Sequence, residues 1–262
     1  MWHNIRVGEL GGAFFLKKNQ SILLLTLTTL AIISLFFSVY LTRVFSHQRA
    51  REAEIVRKKE EKQKLAAEKE ARKPYDEKMN DKISQKEFKN RLQIPLILQT
   101  VEPWKNEFYG EEGSDPIKNT IEINGCAITA LAMVGSYLDK KEETPLDVLK
   151  WSGNRYYDQK EGTVWQIFND YAAAKKFEFE DLGDQISEAK KHLLKGHPVV
   201  VSVKPGYFTE IGHVMVLSGY DEKNNTFWVN NPSDSVKKKH TTRAFKESEI
   251  QSEALRYWAI YK

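Results

Sequence analysis

An uncharged, apolar stretch near the N-terminus sets the first limit on how this chain can fold. Residues 21–42 contain no Asp, Glu, Lys or Arg and are rich in Leu, Ile and Phe. About 20 such residues form a helix that spans the hydrocarbon core of a bilayer. A cleaved signal peptide usually has a shorter apolar region ending in small residues, and no such pattern follows Phe37. We therefore predict a transmembrane helix over residues 21–42, after a short tail of residues 1–20.

The basic residues around this stretch do not decide its orientation. Lys17 and Lys18 precede it, and Arg43, Arg49 and Arg51 follow it. Cytoplasmic flanks carry an excess of Lys and Arg, but long domains are translocated largely regardless of charge. The charge count alone leaves both orientations open.

A strongly charged segment comes next, over residues 43–93. Its first part pairs acids with bases four positions later, as in Glu54 and Lys58, and such pairs support an exposed helix. Its few apolar positions form no heptad pattern, which argues against a coiled coil. Pro74 ends the helical pattern. We predict a helical stalk and linker over residues 43–93, and a folded domain over residues 94–262.

Composition excludes some classes of function. The 40 basic and 36 acidic residues are interspersed and give a net charge of +4. No basic stripe with interleaved aromatic residues is present, so nucleic acid is not an expected partner. The chain has 1 cysteine, which rules out an internal disulfide and a zinc site built from several cysteines.

The pattern of apolar residues after position 120 changes from helical to extended. The predicted helices are Cys126–Leu138, Pro145–Trp151, Thr163–Lys176 and Ile186–Leu194. The predicted strands are Pro198–Val203, His213–Tyr220, Thr226–Asn230 and Arg256–Tyr261. Helices followed by an antiparallel sheet indicate an α+β domain.

Cys126 opens the most apolar of these helices, directly after Gly125. Free amides and the dipole at a helix N-terminus stabilise a thiolate, the reactive form of cysteine. Gly125 permits a tight turn there and leaves the sulfur approachable. The alternative is a buried cysteine that only packs in the core.

His213 is the best candidate for a base that would activate this cysteine. It opens a buried strand, and a rigidly held imidazole suits proton transfer. His3 and His47 flank the apolar stretch, and His240 lies in a basic loop. The alternative for His213 is an ordinary histidine at a sheet edge.

Two further side chains are candidates for supporting roles. Asn231 follows a strand whose residues Phe227 and Val229 share its face, so it could bond the far ring nitrogen of His213. A turn residue before proline is the alternative for Asn231. The Gln99 amide could stabilise an oxyanion together with the backbone N–H of Cys126.

The order Gln99, Cys126, His213, Asn231 resembles the papain-like clan, and in particular the bacterial C39-like peptidase family. The matching fragments cover about residues 94–262, and each is weak alone, but their joint order is fairly specific. They are Ile94-Pro95, Gln99, Trp104, Asn124-Gly125-Cys126-Ala127, Gly196-His197-Pro198-Val199-Val200, Gly212-His213-Val214-Met215-Val216, Gly219-Tyr220-Asp221 and Val229-Asn230-Asn231-Pro232.

The resemblance implies a papain-like fold and thiol peptidase chemistry. It gives the nucleophile role to Cys126, the base to His213, the orienting role to Asn231 and the oxyanion role to Gln99. The chain departs from the family at Asn231-Pro232, where the family usually has Asp-Pro. An Asn can orient the imidazole but adds no negative charge to stabilise the imidazolium.

The expected function is a membrane-anchored cysteine peptidase that acts on peptides or proteins and needs no metal or organic cofactor. No phosphate-binding loop of the Walker type is present, so the chain is not a complete ATP-driven exporter. Surface-tethered members of the family suggest an extracytoplasmic domain. Two alternatives stay open: a papain-like module that binds peptide or cell-wall material without cutting it, and a cell-wall amidase or endopeptidase.

Overall fold

A computed structural model describes residues 9–160 and 162–262, with side chains from residue 22 onward. The first eight residues of the predicted tail lie outside the described part of the chain. The chain divides into two units, residues 1–72 and 73–262.

The first unit is a single helix, α1, Glu9–Arg72. From Ile22 it contains a window with mean hydropathy 2.5, and it is long and apolar enough to cross a membrane. Its apolar side chains are exposed, for example Leu24 and Phe36. The predicted membrane helix and the first part of the predicted stalk are therefore one continuous helix, which ends just before Pro74.

The second unit is α+β, as the sequence predicts. Its helices are α2 Tyr75–Ser84, α3 Ile121–Asn124, α4 Cys126–Asp139, α5 Pro145–Ser152, α6 Gln166–Lys175, α7 Ile186–Leu194 and α8 Glu247–Gln251. Its strands are β1 Tyr157–Asp158, β2 Gly162–Thr163, β3 Glu178–Gly183, β4 Val199–Val203, β5 His213–Asp221, β6 Thr226–Asn230, β7 Phe245–Lys246 and β8 Ala254–Tyr261. A short 3₁₀ helix covers His240–Thr242.

Six strands form an antiparallel sheet in the order β3-β8-β4-β5-β6-β7, and β1 pairs with β2 apart from it. The four predicted strands are the four central ones. The helix predicted from Thr163 begins instead at Gln166, because Gly162 and Thr163 pair with β1. The edge strand β3 was not predicted, because half of its residues are acidic and it lacks an apolar pattern. Charged side chains are common on exposed sheet edges.

Helices cover both faces of the sheet, which explains why β4 is apolar at every position but Ser202. Val200 packs in the same core as α4, together with Val214 of β5. Val199, Val201 and Val203 point the other way and pack in the core that contains α7. The sheet therefore holds α4, and with it Cys126, against the strand that begins at His213.

A segment before residue 94 belongs to the folded unit. Met79 and Ile83, four positions apart on α2, are 6% and 4% exposed and join the core around α4. The chain then crosses β5, where the Leu92 N–H donates to the Ser218 carbonyl at 2.7 Å. A Cβ at Gly219 would lie 2.3 Å from the Asn90 carbonyl oxygen, so this crossing requires glycine. Residues 73–93 thus form an N-terminal arm packed on the domain. The stalk and linker predicted over residues 43–93 therefore end at residue 72.

We predict that the arm is needed for stability. A chain of residues 73–262 should unfold cooperatively in urea, and one of residues 94–262 should be less stable by at least about 4 kcal/mol. The reason is that removing even one buried Met or Ile side chain costs about 2–5 kcal/mol. The matched control is the double change Met79→Ala and Ile83→Ala in residues 73–262, which should lose most of the same stability. Equal urea midpoints for the two lengths would contradict the packing of the arm.

Candidate active site

Cys126 is the first residue of α4 and is half-buried. Gly125 separates α3 from α4 and donates its N–H to the Ile121 carbonyl at 2.9 Å. A Cβ on Gly125 would lie 2.6 Å from that same oxygen. Its φ of −90° is open to any residue, so glycine is required here by the close approach of backbone, and not by an unusual turn.

Burial decides the charge state of the Cys126 thiol. It raises the pKa of the thiol, while backbone N–H groups of Val214, Ala127 and Cys126 itself oppose that rise. The helix N-terminus acts in the direction expected from sequence, but desolvation is the larger effect. The resting sulfur is therefore a thiol at neutral pH.

His213 begins β5 and pairs with Val203 of β4. Its side chain is buried, and burial lowers the pKa of the imidazole to about 4. The hydrogen bond to Asn231 opposes that shift, whereas nearby Lys238 and His240 add to it. His213 is thus neutral at neutral pH and able to accept a proton.

Cys126 and His213 line one cleft of about 590 Å³. The apolar side chains that line it with them are Ile123, Tyr157, Trp165, Ile211, Val214 and Leu255. Ile211 and Leu255 are 66% and 46% exposed, so the wall offers apolar surface to an incoming ligand.

Asn231 lies behind His213 and is fully buried. The antiparallel pairing of β5 with β6 brings the end of β6 next to the beginning of β5. The Asn231 Oδ1 accepts a hydrogen bond from the His213 Nε2 at 2.8 Å and another from the Ser233 N–H at 2.8 Å. In the structure Asn231 thus bonds the imidazole and also shapes the turn, while its part in catalysis stays a prediction. This arrangement puts the proton of neutral His213 on Nε2 and leaves Nδ1 as the basic nitrogen.

Gln99 is buried and is not among the described residues that line the cleft. Its Nε2 donates to the Glu122 carbonyl at 2.6 Å, and its backbone N–H donates to the Pro232 carbonyl at 2.8 Å. Gln99 thus joins α3 to the Asn231–Pro232 segment. Its role as an oxyanion donor stays a prediction, which relies on the second hydrogen of the same amide.

The structure adds two residues that sequence reasoning did not assign to the site. His240 Nδ1 accepts a hydrogen bond from the Asn231 Nδ2 at 2.9 Å. Asp234 accepts the N–H groups of His240 at 3.0 Å and Thr241 at 2.8 Å. Contacts of this kind depend on how a loop folds back on itself, and the local sequence holds no periodic signal for them.

Among the described residues, no group of three or more His, Cys, Asp or Glu is arranged to hold a metal ion.

Comparison with known proteins gives the following matches. A model of the Peptidase_C39 like family matches residues 91–261. The peptidase domain of Streptococcus ComA, a bifunctional ABC transporter involved in quorum sensing, is 17% identical, with 60% of this chain and 96% of that chain covered and a TM-score of 0.41. A putative C39-like peptidase from Bacillus anthracis is 15% identical, with 64% and 97% covered and a TM-score of 0.38. Xylellain, a cysteine protease from Xylella fastidiosa, is 16% identical, with 64% and 86% covered and a TM-score of 0.32. No curated protein matches the chain significantly.

The buried, neutral state of His213 predicts a pH-dependent stability. Its pKa is about 4 in the fold against the ordinary 6.5, so the unfolded chain binds the proton first as the pH falls. The stabilisation is complete above about pH 6.5 and is lost towards pH 4, by about 3 kcal/mol at roughly 1.4 kcal/mol per pKa unit. In residues 73–262, His213→Gln should flatten the fall in urea-derived unfolding free energy over this range.

The matched control is His197→Gln in the same chain, because burial lowers the pKa of His197 as well and this residue lies at the opposite end of β4 from His213. It should flatten the curve through its own titration and leave the part due to His213 in place, so that the double variant is flatter than either. A His213→Gln variant with the same slope as the wild type would contradict the buried neutral imidazole.

Proposed function

The chain belongs to the Peptidase_C39 like family, and from this premise we propose that it is a membrane-anchored cysteine peptidase that hydrolyses peptide bonds. The observation that carries the proposal is one cleft with Cys126 at a helix N-terminus and with His213, whose far nitrogen is bonded to Asn231. A nucleophile, a base and a group that orients the base are the parts that acyl transfer through a thiol requires.

The reaction begins from a neutral pair. As a peptide carbonyl enters the cleft, His213 Nδ1 takes the thiol proton while the sulfur attacks the carbonyl carbon. The carbonyl electron pair moves onto oxygen, where the Cys126 N–H at the start of α4 donates to it, and Gln99 is the predicted second donor. The imidazolium then gives its proton to the leaving amine as the C–N bond breaks. Water, deprotonated by His213, then attacks the acyl carbon, the C–S bond breaks as the acid leaves, and the imidazolium returns its proton to the sulfur.

Asn231 supports this cycle by fixing the imidazole. Its neutral amide holds the Nε2–H of His213 but stabilises the imidazolium less than a carboxylate would. The low pKa of His213 compensates for this weaker stabilisation, because the imidazole stays unprotonated and available as a base in mildly acidic solution. We therefore expect activity to extend below pH 6.

The lining of the cleft supports a peptide with apolar side chains beside the cleaved bond. Ile211, Leu255 and Trp165 present apolar surface on its walls. Burying such surface against a ligand side chain is favourable by roughly 25 cal/mol per Å².

We predict that Cys126→Ala abolishes peptide hydrolysis, because no other described residue in the cleft is a thiol. The assay is cleavage of a peptide library by the purified full chain, with digests of peptidoglycan in parallel. Circular dichroism and urea unfolding should match the wild type. Hydrolysis retained by Cys126→Ala would overturn the assignment of the nucleophile, and cleavage of peptidoglycan alone would favour the amidase.

Thiol alkylation separates an enzyme from a module that only binds. The chain has 1 cysteine, so the uptake of iodoacetamide reports Cys126 alone. If His213 accepts the thiol proton, His213→Gln should slow alkylation at neutral pH by at least about tenfold. General-base assistance is usually worth roughly 10²-fold or more, so a tenfold loss is a cautious lower bound. His197→Gln, at the opposite end of β4, is the matched control and should have no effect. Equal rates in all three proteins would indicate a structural cysteine.

The proposed anchor is the apolar part of α1, and the proposed location of the peptidase unit is extracytoplasmic. We predict that deleting residues 1–42 moves the protein from the membrane fraction to the soluble fraction. In a Cys126→Ser background, Glu61→Cys on the exposed stalk should react with an impermeant maleimide in intact cells, and Asn4→Cys should react only after permeabilisation. The reverse labelling pattern would put the peptidase unit in the cytoplasm.

A further inference from the structure

We propose that His240 is a positioning residue for this site, which acts by accepting a hydrogen bond from Asn231 and so aiming the Asn231 oxygen at His213. The reaction that His240 would serve is the peptide hydrolysis proposed above. Its expected effect on the reaction rate rests on that proposed function. The hydrogen-bond arrangement itself is independent of catalysis.

The geometry gives the Asn231 amide two different neighbours. Its Oδ1 lies 2.8 Å from the His213 Nε2, and its Nδ2 lies 2.9 Å from the His240 Nδ1. An amide donates only through nitrogen and accepts only through oxygen. In the opposite orientation two N–H groups would meet at His213, and two lone pairs would meet at His240. The Ser233 N–H, which also donates to Oδ1, favours the same orientation.

This arrangement requires His240 to be neutral, with its proton on Nε2. A proton on Nδ1 would face the Asn231 NH₂ with a second donor, and a buried donor left without an acceptor is strongly disfavoured. Protonation of His240 would therefore turn the Asn231 amide or move it away from His213. The base would then lose the contact that holds its ring.

The surroundings of His240 favour the neutral form. Burial lowers the pKa of this imidazole, and the charges of Lys238 and Arg243 act in the same direction. Asp234 and Glu253 oppose them. The rings of Tyr207, Phe208 and Phe245 pack around the imidazole, and His213 lies beyond the Asn231 amide.

The backbone at His240 is fixed by Asp234 of the same loop and by two residues of the N-terminal arm. Asp234 Oδ1 and Oδ2 accept the N–H groups of His240 and Thr241. Arg91 of the N-terminal arm donates to the Thr241 carbonyl at 2.6 Å. Tyr75 of α2 donates its hydroxyl to Asp234 Oδ2 at 2.9 Å. His240 is therefore held in place independently of the Asn231 side chain.

The pairing of His240 with an amide has a chemical consequence. A carboxylate at position 231 would present oxygen to both imidazoles, and the His240 Nδ1 would then have to carry a proton. Asn231 and a neutral His240 are thus complementary, whereas an aspartate would favour the imidazolium form of His240.

Kinetics of the full chain in detergent test the positioning role. His240→Asn places an acceptor oxygen near the position of Nδ1 and cannot titrate, while His240→Leu removes the acceptor. We expect His240→Leu to lower kcat about tenfold or more with KM changed less than about twofold, and His240→Asn to restore most of kcat. Equal losses of kcat in both variants would overturn the proposal.

A second measurement does not depend on catalysis. In the Cys126→Ala full chain, ¹⁵N NMR of the histidine rings should find Nδ1 of His240 unprotonated at neutral pH, and Asn231→Asp should raise the pKa of His240. The ring signals of His240 are identified as those that disappear in His240→Asn. If the wild type hydrolyses nothing, the proposed function fails while this titration still decides the inference. A protonated Nδ1, or a titration unchanged by Asn231→Asp, would overturn it.

Discussion

A buried amide is the contact on which the arrangement of this site depends. Asn231 is fully buried, and its carboxamide is hydrogen bonded at both ends, to His213 and to His240. A buried polar group without partners would cost about 1–3 kcal/mol, so each bond constrains the other. The position of the imidazole in the cleft therefore also depends on His240, which lies on the far side of Asn231 and does not itself line the cleft.

The loop that supplies this amide is supported by the N-terminal arm. Tyr75 bonds Asp234, and Arg91 bonds both the Thr241 carbonyl and the Asn230 Oδ1. Asp234 in turn fixes the backbone of His240. A segment with the composition of a polar linker is in this way part of the support of the site. Its few buried residues matter more than its average polarity, because a short amphipathic helix needs only one apolar stripe to pack.

The sequence predicted the central strands and the helix α4, but not the strand β3 or the helix α2, and the difference has a physical reason. The strands β4, β5 and β6 are mostly apolar, and α4 is apolar with a clear beginning at Cys126, so local pattern is sufficient for them. The strand β3 and the helix α2 are polar on average and are stabilised by tertiary contacts. The contact of Asn231 with His213 could be anticipated from strand alternation. His240 could not, because the loop of residues 231–242 closes through Asp234, a residue that the sequence marks only as part of a turn.

The electrostatics of the site are consistent with an amide, and not a carboxylate, beside the imidazole. Burial raises the pKa of the Cys126 thiol and lowers that of His213, so both shifts favour a neutral pair at rest. An ion pair in the same place would have to repay the desolvation of two charges. A carboxylate at position 231 would favour the imidazolium and act against the burial of His213. With Asn231 the ring is oriented and remains neutral, and in the proposed reaction the imidazolium forms only as the sulfur attacks, when the carbonyl oxygen of the substrate takes up the negative charge.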